Sequence, residues 1–124
     1  MELFVYGSLK DPARLDEVLG RRYRGARVPA RLDGFQRLRS ADYAFPFLVP
    51  AEAARVDGLL LVELSEDDLA AIDLYEEVDQ NRYRRATVTV TVGALDDAPG
   101  SRTLTAQTYL AGPALARSVE GSSS

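Results

Sequence analysis

Two short stretches of the chain bring together groups that could act on a carbonyl. Val5-Tyr6-Gly7-Ser8-Leu9 closes an apolar run near the start, and Asp73-Leu74-Tyr75-Glu76 ends the clearest helical pattern. A turn at Gly7-Ser8 offers backbone N–H groups that can hold a carboxylate or a developing oxyanion. A helical carboxylate aimed inward can take up and return a proton. The chemistry suggested is acid–base work on a carbonyl.

Other chemistries are narrowed by what is missing. The chain has no Cys and no His, which removes disulfides, Ser-His and Cys-His catalysis, and the usual ligands of zinc and transition metals. Proton transfer then falls to Asp, Glu, Tyr, Lys or Arg. Ser8 has no imidazole base to make it a nucleophile. The Gly7-Ser8 turn also lacks the glycines and the Lys-Ser/Thr pair of a phosphate-binding loop. Two readings of Gly7 stay open: a turn that needs a permissive backbone, or a place where backbone closely approaches a ligand.

The helix that carries the carboxylates begins at Ser65, placed to cap the amides of Asp67 and Asp68, with Asp68 in capping-box position. Glu66, Asp67 and Asp68 suit the positive end of the helix dipole. With Leu69 as origin, Ile72 falls at about 300°, Glu76 at about 340° and Asp73 at about 40° around the helix. Glu76 therefore shares the apolar stripe, whereas Glu77 at about 80° and Asp67 at about 160° should be wetter. Either Glu76 is a buried carboxylate with a raised pKa, or the helix frays at Tyr75 and Glu76 reaches solvent.

The remaining elements must position these two stretches. Leu3 to Tyr6 reads as a buried strand. Asp11-Pro12 opens a helix over Leu15, Val18 and Leu19 that Gly20 ends. A strand follows around Ala30 to Leu38, then an irregular stretch carrying Tyr43, Phe45, Pro46, Phe47 and Pro50, then a strand from Val56 to Leu64. Ala86 to Val92 and Leu104 to Leu110 alternate with period two and should pair as a hairpin. Gly93 to Arg102 reads as an exposed loop, and Gly121-Ser-Ser-Ser as a frayed end. Without regular βαβ alternation, these elements predict an α+β domain on a curled sheet or barrel.

At 124 residues and 46% hydrophobic, the chain suits one domain, expected over residues 1–115 with a flexible tail over 116–124. A net charge of −4 argues against nucleic acid and anionic membranes as partners. Arg21, Arg22, Arg24 and Arg27 form a basic patch, either a solvated surface or a hold for an anion. No run approaches a membrane span or a signal peptide, so the expected location is cytoplasmic.

The order and spacing of several motifs resemble the gamma-glutamylcyclotransferase-like family, in particular its small members, among them gamma-glutamylamine cyclotransferases and many bacterial proteins. The residues that carry the resemblance are Leu3-Phe4-Val5-Tyr6-Gly7-Ser8-Leu9, Leu32-Asp33-Gly34-Phe35 and Val56-Asp57-Gly58-Leu59-Leu60. They continue as Leu69-Ala70-Ala71-Ile72-Asp73-Leu74-Tyr75-Glu76, Tyr83-Arg84-Arg85 and Ala106-Gln107-Thr108-Tyr109.

The resemblance implies a small mixed β-barrel flanked by helices, with Glu76 as the essential carboxylate. Tyr6, Gly7, Ser8, Leu9 and Tyr83 would bind substrate, and Arg85 would support structure. The implied reaction cyclises a γ-glutamyl group to 5-oxoproline and releases an amine or amino acid, with no metal and no organic cofactor. The chain departs from the family pattern at Glu77, where Gly is frequent, and in the longer stretch Val78 to Arg82, a region expected to shape substrate choice. Lys10-Asp11-Pro12-Ala13-Arg14 also replaces a segment containing Gly and Asn. Two other readings use the same pocket: a non-catalytic barrel that binds a small ligand, and the same fold acting on another amide or ester.

Overall fold

The computed structural model describes residues 1–38, 46–80, 82–92 and 102–112. They form strands β1 (Leu3–Val5), β2 (Arg27–Leu38), β3 (Phe47–Leu61), β4 (Tyr83–Val92) and β5 (Arg102–Ala111), with helices α1 (Pro12–Leu19) and α2 (Glu66–Tyr75) and short 3-10 turns at Ser8–Lys10 and Val78–Gln80. The strands close into a barrel in the order β1-β3-β2-β4-β5. All neighbours are antiparallel except β1 and β5, which meet in parallel with Leu3 beside Gln107. Closure leaves the barrel without a free edge, and the architecture is the α+β barrel with flanking helices expected from the sequence. Among the described residues no helix is long and apolar enough to cross a membrane.

Both helices follow their local signals. Asp11 accepts the Ala13 N–H at 3.3 Å with Pro12 in the first turn, and α1 closes on Gly20 at φ 70°. At α2, Ser65 Oγ accepts the Asp68 N–H at 3.1 Å while Asp68 Oδ2 accepts the Ser65 N–H at 2.9 Å. The Ser65 cap therefore serves Asp68 alone and not Asp67 as well, the reciprocal bond fixing its direction. Arg21 adds a bidentate contact to Asp68, Nη2 to Oδ2 at 2.6 Å and Nε to Oδ1 at 3.2 Å. That contact gives the first member of the basic patch a structural partner. Arg27 lies over the Tyr23 ring at 5.4 Å.

The two faces of β1 feed two cores, as strand alternation requires. Leu3 and Val5 join Leu15 of α1 and Leu69 and Ile72 of α2, whereas Phe4 packs with Leu32, Leu48, Leu60 and Val90, all from strands. Phe4 and Leu3 are fully buried, so β1 is sealed on both sides between the barrel interior and the helices. Gly58 of β3 makes this possible: a Cβ there would lie 2.3 Å from the Val5 carbonyl oxygen and 2.8 Å from Phe4 Cζ.

The hairpin of β4 and β5 pairs in one unbroken register from Tyr83 opposite Ala111 to Val92 opposite Arg102. One expectation is corrected at β3. The stretch through Phe47 and Pro50, expected to be irregular, is continuous strand to Leu61, where Val56 to Leu64 had been expected to stand alone. Phe47 and Leu48 are buried in the two cores, and burial decides the conformation there. Exposed Pro50 is tolerated beside a break in register: Asp33 faces Arg55 and Phe35 faces Pro50, so residues 51–54 stand opposite Gly34 alone. Gly34 at φ 85° supplies the left-handed backbone that this bulge needs. β3 ends at Leu61 because Glu63 turns left-handed at φ 62°. Tyr43, Phe45, residues 93–101 of the loop expected over Gly93 to Arg102, and the tail over 116–124 lie outside the described residues, whereas Arg102 opens β5 by pairing with Val92.

Candidate active site

Four elements converge where β1 leaves the barrel. The chain turns at Gly7 into a 3-10 turn in which Lys10 N–H donates to the Gly7 carbonyl at 3.0 Å. In such a turn the amides ahead of the first bonded one have no partner from the turn itself, so those of Ser8 and Leu9 start it without internal partners. Arg37 of β2 steadies the entry, its Nη1 donating to the Tyr6 carbonyl at 3.0 Å. Opposite stands the end of α2, and the start of β4 and a residue of β5 complete the wall. They enclose a cleft of about 130 Å³, roughly ten times the space that one water needs.

Glu76 sits in this cleft at the C-cap of α2, its N–H donating to the Ile72 carbonyl at 2.8 Å. The helix does end at Tyr75, but Glu76 follows the apolar stripe inward and does not pass into solvent. Burial raises its pKa from 4.5 to about 7, and the neighbouring Glu77 carboxylate pushes it in the same direction. Among the described residues no side chain donates a hydrogen bond to it. It is therefore a carboxyl poised near neutrality and open to whatever fills the cleft.

Four phenols line the cleft and each is fixed by its hydroxyl. Tyr6 donates to the Tyr109 carbonyl at 2.6 Å, Tyr83 to the Pro46 carbonyl at 2.8 Å, and Tyr109 to Asp73 Oδ1 at 2.6 Å. The Tyr6 hydroxyl is held neutral, its pKa pushed well up by burial, then by Tyr83 and by Glu76. Tyr109 is likewise raised, by burial first and then by its bond to Asp73. These rings shape the cleft, and the Tyr6 and Tyr109 phenols keep their protons. Arg85 Nε lies 3.6 Å from Asp73 Oδ1, so it braces the carboxylate behind Tyr109. Tyr75, the last helical residue, shares a 2.8 Å hydrogen bond with Ser8 Oγ across the cleft.

Thus Tyr6, Gly7, Ser8, Leu9, Glu76 and Tyr83, separate in sequence, line one cleft. The structure adds Tyr75, Glu77, Arg82, Tyr109 and Pro46 to that lining. Glu77, expected to be wetter, has its Oε2 shut from solvent against the Arg82 guanidinium. The helical wheel does not apply to it because its backbone turns left-handed at φ 56°. Tyr109 had two signals, a large aromatic in an alternating strand and a place in the Ala106-Gln107-Thr108-Tyr109 motif, though no role was expected of it. Pro46 had none. Among the described residues no cluster of acidic side chains could hold a metal ion.

The fold and site define a small closed barrel with a near-neutral carboxyl facing a backbone turn at its mouth. The chain belongs to the family described as gamma-glutamyl cyclotransferase, AIG2-like, which matches residues 3–123. It is 38% identical over 86 residues to AIG2-like protein A of Arabidopsis thaliana, covering 69% of this chain and 49% of that protein. It is 36% identical over 89 residues to AIG2-like protein C of the same plant, covering 72% and 49%. The chain thus spans about half the length of these curated relatives. A solution structure of another Arabidopsis thaliana protein superposes with a TM-score of 0.71 at 34% identity, covering 89% of this chain and 67% of that one. A yeast gamma-glutamyl cyclotransferase specific to glutathione shares the fold, with a TM-score of 0.61 at 15% identity over 90% of this chain and 68% of its own.

Proposed function

We propose that the chain is a cyclotransferase that converts γ-glutamyl amides, carrying an amine or an amino acid, into 5-oxoproline and the free amine. The observation that carries this reading is Glu76, a partly buried carboxyl with a pKa near 7 that faces the turn at Gly7-Ser8-Leu9 across the cleft. The reaction needs little more. Nucleophile and electrophile belong to one substrate, so holding it folded supplies a high effective molarity, and the remaining task is the transfer of protons.

In this reading Glu76 as carboxylate takes a proton from the α-amino nitrogen as that nitrogen attacks the γ-carbonyl carbon. A C–N bond forms, the carbonyl oxygen becomes an oxyanion, and the amides of Gly7, Ser8 and Leu9 hold it or the substrate carboxylate. Glu76 then returns the proton to the leaving nitrogen as the original C–N bond breaks. One carboxyl with a pKa near the working pH can do both. Tyr6 and Tyr83 form the walls against which the glutamyl chain bends. Substrate and products balance without water, oxidant or cofactor.

The test is release of 5-oxoproline, read by mass spectrometry, from a panel of γ-glutamyl amino acids and γ-glutamylamines. Glu76→Gln is expected to lower the rate by about 10²–10⁴-fold in a folded protein. An unchanged rate overturns the role of Glu76. Silence of the native protein across the panel overturns the substrate class, leaving a different amide or ester, or a binding role for the cleft.

A further inference from the structure

Beside Glu76 the structure places a second carboxylate that the proposed reaction does not use. Glu77 adopts φ 56°, a left-handed backbone that suits glycine and strains a residue with a Cβ. The turn is held there by bonds from the Gln80 and Arg82 amides to the Glu77 carbonyl at 3.1 and 3.3 Å. The side chain is only partly released to solvent. Its Oε2 is buried, it pairs with Arg82, and both residues line the cleft. A residue without a side chain would make this turn with less strain, so the carboxylate calls for a role of its own.

We propose that Glu77 and Arg82 are a positioning pair for the reaction: a half-buried carboxylate on the cleft wall and the guanidinium that masks it set the charge against which Glu76 exchanges its proton. The inference rests on Glu76 being the acid–base group. The other groups around Glu76 leave room for this control. Tyr6 from β1, Tyr75 from α2, Tyr83 from β4 and Tyr109 from β5 present phenols. Asp73, one helical turn back, is engaged by the Tyr109 hydroxyl and by Arg85. Glu77 and Arg82 are thus the charged side chains that share the cleft lining with Glu76 among the described residues. Loss of Glu77 should ease ionisation of Glu76. Loss of Arg82 unmasks Glu77 and should oppose it.

The experiment is a ¹³C NMR titration of the Glu76 carboxyl in the native protein, Glu77→Gln, Glu77→Gly and Arg82→Gln, beside the pH profile of 5-oxoproline release. The expected result is a Glu76 midpoint moved down by roughly one pH unit in both Glu77 variants and up in Arg82→Gln, the acid limb of the rate profile moving with it. Gly fits the left-handed turn, so Glu77→Gly keeps the question answerable if Glu77→Gln unfolds. A purely structural Glu77 would let Glu77→Gly gain stability and leave the midpoint in place, which overturns the proposal. The titration needs no turnover. A moved midpoint without release therefore removes the proposed reaction and keeps the pair's control of Glu76, and release with an unmoved midpoint does the reverse.

Discussion

Ser8 and Tyr75 meet across the mouth of the barrel through a hydrogen bond of 2.8 Å between their hydroxyls. Ser8 opens the 3-10 turn that follows β1, and Tyr75 is the last helical residue before Glu76. One bond therefore ties the turn that lines one side of the cleft to the helix end that carries the carboxyl. In the proposed reaction the spacing of those two groups decides whether the bent substrate reaches both, and a displacement of an ångström is costly.

Tyr75→Phe deletes that tie while keeping the ring, and Ser8→Ala deletes it from the other side. Each is expected to cost about 0.5–1.5 kcal/mol of stability in urea unfolding, and the double variant little more than either single one, because they remove the same bond. Catalysis should fall through kcat more than KM, since the tie aligns groups and does not itself hold substrate. Additive losses in the double variant would show that the two hydroxyls act independently.

Glu76 should leave a pH signature on stability itself. Its pKa is raised from 4.5 to about 7 on folding, so between those values the folded state binds more protons than the unfolded one. Stability must then fall as pH rises through that window and level off above it, by on the order of 2–3 kcal/mol. Glu76→Gln removes the group and should be more stable than the native protein at pH 8, with the difference vanishing near pH 4. Paired urea melts at the two pH values check this. Equal stability of variant and native protein at pH 8 would mean that the carboxyl bears no burial penalty.

Much of this arrangement is legible in the sequence because it is local. Asp11, Pro12 and Gly20 delimit α1, Ser65 and Asp68 open α2, and the alternation from Ala86 and from Leu104 marks a hairpin that the structure pairs residue by residue. What stayed hidden depends on distant partners. Phe47 to Pro50 looks irregular until β2 pairs with it and two cores receive Phe47 and Leu48. The Tyr6 hydroxyl finds the Tyr109 carbonyl, and Tyr83 finds that of Pro46, across separations that no periodicity encodes. Periodicity placed Glu76 toward the core and left Glu77 wetter, but it could not show that a left-handed turn at Glu77 closes one carboxylate oxygen against Arg82.

Asp68 offers a stability prediction of opposite sign to that of Glu76. It closes the capping box of α2 and receives Arg21, which holds its carboxyl below the usual range, with the Ser65 amide helping. A lowered carboxylate pKa gives stability that is present above the unfolded value, roughly 3.9, and lost as pH falls through the folded one. Asp68→Ala is expected to cost about 1–2 kcal/mol at pH 7. Arg21→Ala should cost less than about 1 kcal/mol, because half of that side chain is in water. Thermal melts of both variants at pH 7 and pH 3 separate the cap from the ion pair, since the penalty of Asp68→Ala should shrink in acid.

Gly58 is the position where fold and site depend on each other most directly. It faces Ala30 of β2 on one side and β1 on the other, and the carbonyl of Val5 would stand 2.3 Å from any Cβ. A methyl group there must push β1 away, and β1 leads straight into Tyr6 and the turn at Gly7. Gly58→Ala is therefore expected to destabilise by more than about 2 kcal/mol and to reduce turnover beyond what the unfolded fraction explains. Gly34→Ala is the control. It meets open space but sits at φ 85°, so it should cost about 1 kcal/mol of backbone strain and leave the cleft intact. If urea unfolding found Gly58→Ala as mild as Gly34→Ala, with full activity per folded molecule, the close approach of β3 to β1 would not be what fixes the mouth of the barrel.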